Sequence, residues 1–240
     1  LEVNDTRFEA NEAEERGGSV LRSVLYDPKA TSFLSEAREL GLKAEVRPSK
    51  EKLEKDPRLD DPVVDFDAIF IPDNHRRVPL VVSALAYEEF SIGNFRTHRH
   101  AESTYVMGLN AWNNASIVDK GGQYLVNGVF VDAFWVGNEA ETVQQFVTSF
   151  TENFDKSPNI YDAISYDVMQ LISVTLDAEA NSRAEVLEQL NRAFIPAPVT
   201  GGSQFAVNRD LDRVLDVFIV KSSGIQMWQP PEPEEDSPTP

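Results

Sequence analysis

Two acidic positions and three neutral polar ones carry most of what could be chemistry in this chain. Asp73 and Asn74 follow the apolar run Ala68-Ile69-Phe70-Ile71-Pro72, and Asp67 and Asp73 bracket it. In open α/β sheets, ligands sit beyond the carboxyl ends of strands, so a polar pair directly after such a run stands where a site is expected. The same pair can cap the helix that follows, accepting hydrogen bonds from its free N–H groups, and the cap is the favoured reading. Asn110, Trp112 and Asn113 follow a second apolar run. They offer a flat apolar wall with amide donors, or else a Trp that closes the core over a loop. Asp132 lies inside a third run, where a carboxylate is costly unless it ends the strand or finds a partner. Ligand contact and a strand-end cap are both open to it.

Other polar clusters lead less far. Arg76 and Arg77 fall in a predicted first helical turn, where the macrodipole disfavours cations; a solvated pair is the commoner arrangement, and contact with an internal carboxylate or a partner is the alternative. His98 and His100 share one side of an extended segment, but no third ligand is close in sequence, and a metal site is not expected. Asp60-Asp61 fall in a densely charged stretch where solvated carboxylates are usual. There is no glycine-rich phosphate loop, no G-x-S-x-G elbow and no cysteine. The chain reads as a non-enzyme without a cofactor.

Positioning these residues requires alternating strands and helices. Residues 20–26 alternate apolar and polar and predict a strand; 68–72, 105–109 and 126–136 predict strands buried on both faces. Residues 31–40, 76–90, 141–154, 160–178 and 182 onward carry helical periodicity, and Ser182 with Glu185 forms a capping box. Residues 115–120 predict a short helix closed by Gly121-Gly122. Residues 2–16 read as a solvated helix. Residues 43–64, dense in charge and interrupted by Pro48, Pro57 and Pro62, predict a mobile surface loop. Late strands are expected at 204–207 and 214–220, with a return after Ser222-Ser223-Gly224. The acidic, proline-rich tail 229–240 predicts disorder. This alternation implies an α/β fold with a mostly parallel sheet covered by helices.

Bulk properties narrow the partners. A formal charge of −18 disfavours nucleic acid and anionic membrane surfaces. No run is long enough to cross a bilayer as a helix. The lack of cysteine suits either a reducing cytosol or a bacterial periplasm.

The ordered series of motifs resembles the second lobe of type I periplasmic binding proteins, the leucine/isoleucine/valine-binding and receptor-ligand-binding group. The series starts with Gly17-Gly18, a strand, and Tyr26-Asp27-Pro28-Lys29-Ala30-Thr31-Ser32-Phe33. It continues with Asp67 to Asp73, Gly108 to Trp112, and Gly128-Val129-Phe130-Val131-Asp132-Ala133-Phe134. It closes with Phe146, Phe150, Phe154 and Pro158, then Tyr166-Asp167, then Val199-Thr200-Gly201 and Phe205. Among these families it is most similar to the penicillin-binding protein activators, which are lipoproteins.

The resemblance implies a type I, three-layer α/β/α lobe built from 1–137 and 199–228. Helices in 138–198 would return to a first lobe whose sheet precedes Leu1, making the chain a C-terminal portion. It implies a periplasmic module holding a small polar, amino-acid-like ligand in an interlobe cleft, for ABC-type uptake or sensing with a permease as partner. Asp73, Asn74, Asn110, Trp112 and Asp132 would line that site. The alternative is a lipoprotein that regulates a cell-wall synthase through protein contacts, and a flavodoxin-like cytosolic domain also fits the βα alternation. The resemblance further implies that the helices of 138–198 are left with an uncovered apolar face.

Overall fold

The computed structural model describes residues 17–97, 103–177, 182–205 and 211–229. The helix expected at 2–16, the pair His98 and His100, and nearly all of the acidic tail lie outside these residues. In chain order the elements are α1 (Leu34–Leu40), α2 (Lys50–Lys55), β1 (Ala68–Phe70), α3 (Val78–Tyr87) and β2 (Tyr105–Gly108). There follow a 3-10 turn (Asn110–Trp112), α4 (Ser116–Leu125), β3 (Val129–Asp132), α5 (Glu141–Phe154), α6 (Ile160–Asp177) and α7 (Arg183–Leu190). Last come β4 (Gly202–Phe205), β5 (Leu211–Arg213), β6 (Asp216–Lys221) and β7 (Gly224–Met227). One sheet has the order β1-β2-β3-β6-β7, and β4 pairs with β5 in a separate two-stranded sheet. β1 and β2 run parallel, Ile69 opposite Val106. The chain is thus an α/β fold, divided into a unit of residues 1–129 with 219–226 and a unit of 130–218 with 227–240.

In the first unit, α3 sets Val78, Val82, Leu85 and Ala86 on one buried stripe and packs against α4 and α1. Phe33, Phe90, Ile92, Ile117 and Leu125 complete the core. The strands differ from expectation here. β1 and β2 are not buried on both faces: Ile69, Ile71 and Val106 point inward, while Phe70, Tyr105 and Met107 are 39%, 63% and 38% exposed. β1 ends the strand order, and residues 18–27 form no helix or strand, so the strand predicted at 20–26 is absent. The expected stop at Gly121-Gly122 moves as well. The helix runs on through Gly121 and kinks at Gly122, whose φ of 49° suits glycine, before ending at Leu125.

The charged stretch 43–64 is built around a buried ionic cluster rather than left in solvent. Arg38 reaches Asp60 and Glu88 at 2.7 Å each, and Lys43 Nζ lies 2.7 Å from Glu88 and 3.5 Å from Asp60. Arg47 Nε adds a contact to Asp60 at 3.0 Å while its guanidinium lies over the Tyr87 ring. Asp60 and Glu88 are 7% and 2% exposed, and the Lys43 side chain is fully covered. Burial pushes the Asp60 carboxyl up, but hydrogen bonds from Arg38 and Arg47 and the charges of Lys43 and Arg38 outweigh it and bring it to about 2. The hydrogen bond to Asp60 raises both Arg38 and Arg47 against the opposing effect of burial. Arg38 also donates through Nε and NH2 to the Ala44 carbonyl, which fixes where the stretch leaves α1.

In the second unit, α5 and α6 follow their predicted periodicity almost to the residue. Phe134, Val143, Phe146, Ala163 and Val199 form one cluster, and Leu171, Ala193 and Ile195 a second. The capping box is present: Glu185 N donates to Ser182 Oγ at 3.2 Å, and Ser182 N to Glu185 Oε2 at 3.1 Å. Asp167, with no exposed surface, accepts from Val199 N, Thr200 N and Thr200 Oγ1 at 3.0, 2.9 and 2.6 Å. One buried carboxylate therefore ties α6 to the segment that leads into β4. The outer side of α6 stays bare, with Tyr161, Met169 and Leu176 at 76%, 60% and 58% exposure.

Candidate functional site

The carboxyl ends of β1 and β2 bring together two of the predicted loops. Beyond β1, Ile71 N still donates to Met107 O at 2.8 Å, and His75 N donates to Ala111 O at 3.0 Å. Asp73, Asn74 and His75 are thereby fastened beside the 3-10 turn that carries Asn110 and Trp112.

Asp73 is the hub of this edge. Its Oδ1 accepts from Asn74 N at 2.7 Å and Asn74 Nδ2 at 2.9 Å; its Oδ2 accepts from the Tyr26 hydroxyl at 2.8 Å. Arg77 Nε lies 2.9 Å from the same Oδ2, an ion pair off the N–H axis. The Arg77 guanidinium sits over the rings of Tyr26 and Phe33, 5.1 and 5.3 Å from their centroids, and donates to the carbonyls of Asp27 and Pro28. Burial, reinforced by the hydrogen bond to Asp73 and its negative charge, pushes the Tyr26 phenol up, so it stays protonated and donating. The carboxylate implied by the basic pair is thus Asp73, four residues before Arg77, whereas Arg76 is exposed.

The turn that leads into α3 is closed by Asn74, not by Asp73. Its Oδ1 accepts from Arg76 N at 3.0 Å, and its carbonyl from Arg77 N and Val78 N at 3.0 and 3.1 Å. α3 itself opens at Val78 without a side-chain cap. Asp73 is instead taken up by Arg77, four residues on, and by Tyr26, 47 residues away in the chain, whose pairing with it could not be read from sequence.

Trp112 has no exposed surface, and its Nε1 donates to Ile71 O at 3.2 Å. The ring lies flat on Gly108: a Cβ there would fall 2.0 Å from Trp112 Cε2. Its face is spent on the core, while Asn110 beside it is exposed. Asp132, in the second unit, is the last residue of β3, 2% exposed, with Oδ1 accepting from Ala133 N at 2.7 Å. A groove of about 380 Å³ in that unit is lined by Tyr166, Met169, Gln170, Ile172, Ser173 and Leu176, all on the bare side of α6. Among the described residues no three His, Asp or Glu side chains cluster to hold a metal ion, and no helix is long and apolar enough to cross a membrane.

No family model and no curated protein sequence matches the chain. Solved structures do. A branched-chain amino acid ABC transporter protein from Rhodospirillum rubrum superposes with a TM-score of 0.67 at 18% identity, over 91% of this chain and 55% of its own. A leucine-binding protein from Thermotoga maritima gives 0.62 at 17%, over 93% and 55%. A branched-chain amino acid transporter substrate-binding protein from Streptococcus pneumoniae, solved with isoleucine, gives 0.60 at 14%, over 95% and 57%. The fold is that of the type I periplasmic binding proteins. The chain spans a little over half the length of these three proteins, and identities this low carry the fold and not the ligand. On this fold, the Asp73 edge lies at the strand ends where open sheets take ligands.

Proposed function

We propose that this chain is part of a non-catalytic, extracytoplasmic solute-binding protein. It would take a small polar, amino-acid-like ligand into an interlobe cleft of the complete protein, for uptake with an ABC permease or for sensing. Residues 1–137 with 199–228 supply one lobe in this reading, and 138–198 supply helices of the other. The observation that carries it is the polar edge of Asp73, Asn74 and Asn110 at the carboxyl ends of parallel strands, on a fold shared with amino acid transport proteins. Asp132 belongs to the same proposal as a strand-end carboxylate. Calorimetric titration of the purified protein with a panel of amino acids tests it. Saturable heat with at least one of them, weakened by Asn110→Ala, is the expected result; no heat across the panel overturns it.

A second reading is favoured by the bare side of α6, where Tyr161, Met169 and Leu176 are exposed. In it the fold is kept, and a periplasmic lipoprotein of the penicillin-binding protein activator type regulates a cell-wall synthase through protein contacts. Co-purification of a synthase, lost on Met169→Asp, together with no ligand heat, would select this reading.

A further inference from the structure

Asn127-Gly128 is the only Asn-Gly pair in the sequence, and it forms the corner between α4 and β3. Asn127 is exposed and takes a left-handed φ of 67°, which asparagine tolerates better than most residues. The backbone of this corner is held from both sides. Asn127 N donates to Val220 O at 2.8 Å, Val220 N to Gly128 O at 2.8 Å, and Gly128 N to Leu125 O at 2.9 Å. At the side chain, Lys221 Nζ donates to Asn127 Oδ1 at 2.9 Å, from 94 residues further along the chain.

These contacts favour a reaction within the chain. Glycine has no Cβ to hinder its own nitrogen, so Gly128 N can reach the side-chain carbonyl carbon of the residue before it. Attack forms a bond from Gly128 N to Asn127 Cγ and breaks the bond from Cγ to Nδ2. The Gly128 N–H proton passes through solvent to the departing nitrogen, which leaves as ammonia, and a five-membered cyclic imide remains. Water then opens the imide at either carbonyl, giving an aspartyl or an isoaspartyl residue. The attack puts negative charge on Oδ1, and a cationic donor already aimed at that oxygen lowers its cost. Lys221 is that donor. The bond from Gly128 N to Leu125 O acts the other way, since it must open before the nitrogen is free.

We infer that Asn127 is the chain's site of spontaneous deamidation, with Lys221 promoting the attack and the turn from Leu125 to Gly128 gating it. The mark is irreversible and falls on a joint of the sheet. The aspartyl form keeps the backbone and gives Lys221 a carboxylate to pair with. The isoaspartyl form adds a methylene to the backbone between Asn127 N and Gly128 O, the two groups that pair with Val220, and so loosens β6 at the start of β3.

Incubation of the purified protein in mildly alkaline buffer, followed by peptide mapping with mass spectrometry, tests this. The peptide that contains Asn127 should lose ammonia ahead of every other asparagine. Lys221→Met should slow that loss several-fold, and Lys221→Arg, which keeps a cationic donor, should stay near the parent rate. In urea, where the fold no longer holds residue 221 beside Asn127, the parent and Lys221→Met should react equally fast. Modification first at another asparagine overturns the site. Equal or faster loss from native Lys221→Met overturns the role of Lys221, and a difference that persists in urea does the same.

Discussion

Arg38 and Glu88 stand fifty residues apart in the chain and meet at 2.7 Å with both side chains buried. Their contact joins the end of α1 to the end of α3, and Lys43 and Asp60 are drawn into the same site. Such clusters are weak evidence for net stabilisation, since desolvation offsets much of the attraction. Removing one member is another matter. Glu88→Ala leaves Lys43 and Arg38 covered with a single carboxylate between them, and should cost about 3–5 kcal/mol. Urea unfolding of the variant against the parent measures it, and a loss below 1 kcal/mol would show the cluster to be effectively solvated.

Acid should loosen the same cluster in a defined window. The Asp60 carboxyl titrates at about 2 in the folded chain against an ordinary 3.8. A depressed carboxyl pKa stabilises fully above the unfolded value and loses that contribution as pH falls through the folded one. Roughly 2 kcal/mol should therefore disappear between about pH 4 and pH 2. Urea midpoints followed across that range should fall more steeply in the parent than in Asp60→Asn, which lacks the titrating group.

Asn74 and Asp73 should separate by substitution. Asn74→Ala removes the side-chain acceptor of Arg76 N in the turn before α3 and should cost about 1 kcal/mol. Asp73→Asn keeps the shape but strips Arg77 of its ion pair, and should let the Tyr26 phenol titrate lower than in the parent. Ultraviolet titration of tyrosinate absorbance reads this directly, and an unchanged profile would sever the link between Tyr26 and Asp73.

Asp167 accepts three hydrogen bonds from Val199 and Thr200 with no exposed surface. Asp167→Ala strands the N–H groups of Val199 and Thr200 without acceptors, each worth about 1–3 kcal/mol when buried. Hydrogen exchange should rise at Val199 and Thr200 first, ahead of the α5 amides.

The bare side of α6 predicts self-association. Apolar surface of this kind is normally covered in soluble proteins. Sedimentation velocity should show concentration-dependent association, diminished by Met169→Asp. A monodisperse monomer at all concentrations would mean that the face tolerates water.

Periodicity made the helices legible. Glu141–Phe154 begins and ends as its apolar stripe does, and Ser182 with Glu185 marked the start of α7. Strands were harder to bound. The apolar run 126–136 yields only Val129–Asp132, because Asn127 takes a positive φ of 67° just before it. The late run 214–220 begins as a strand only at Asp216, after the exposed Val214 and Leu215, and β5 was not anticipated. At the site, Asp73 and Asn74 could be placed from the run before them, but Tyr26 had no signal of its own. The ionic cluster was invisible for a physical reason. Arg38, Lys43, Arg47, Asp60 and Glu88 have the composition of a solvated surface, and only the fold brings the three cations onto the two carboxylates.

The seating of Trp112 on Gly108 gives the protein an optical label. Trp112 is fully enclosed in the first unit, while Trp135 and the 41% exposed Trp228 belong to the second. A dry indole emits at shorter wavelength than a wet one. The shortest-wavelength emission therefore comes from Trp112, with the half-buried Trp135 to its red side, and Gly108→Ala, which drives a methyl into the Trp112 ring, would shift the blue edge toward the red before any helix signal is lost.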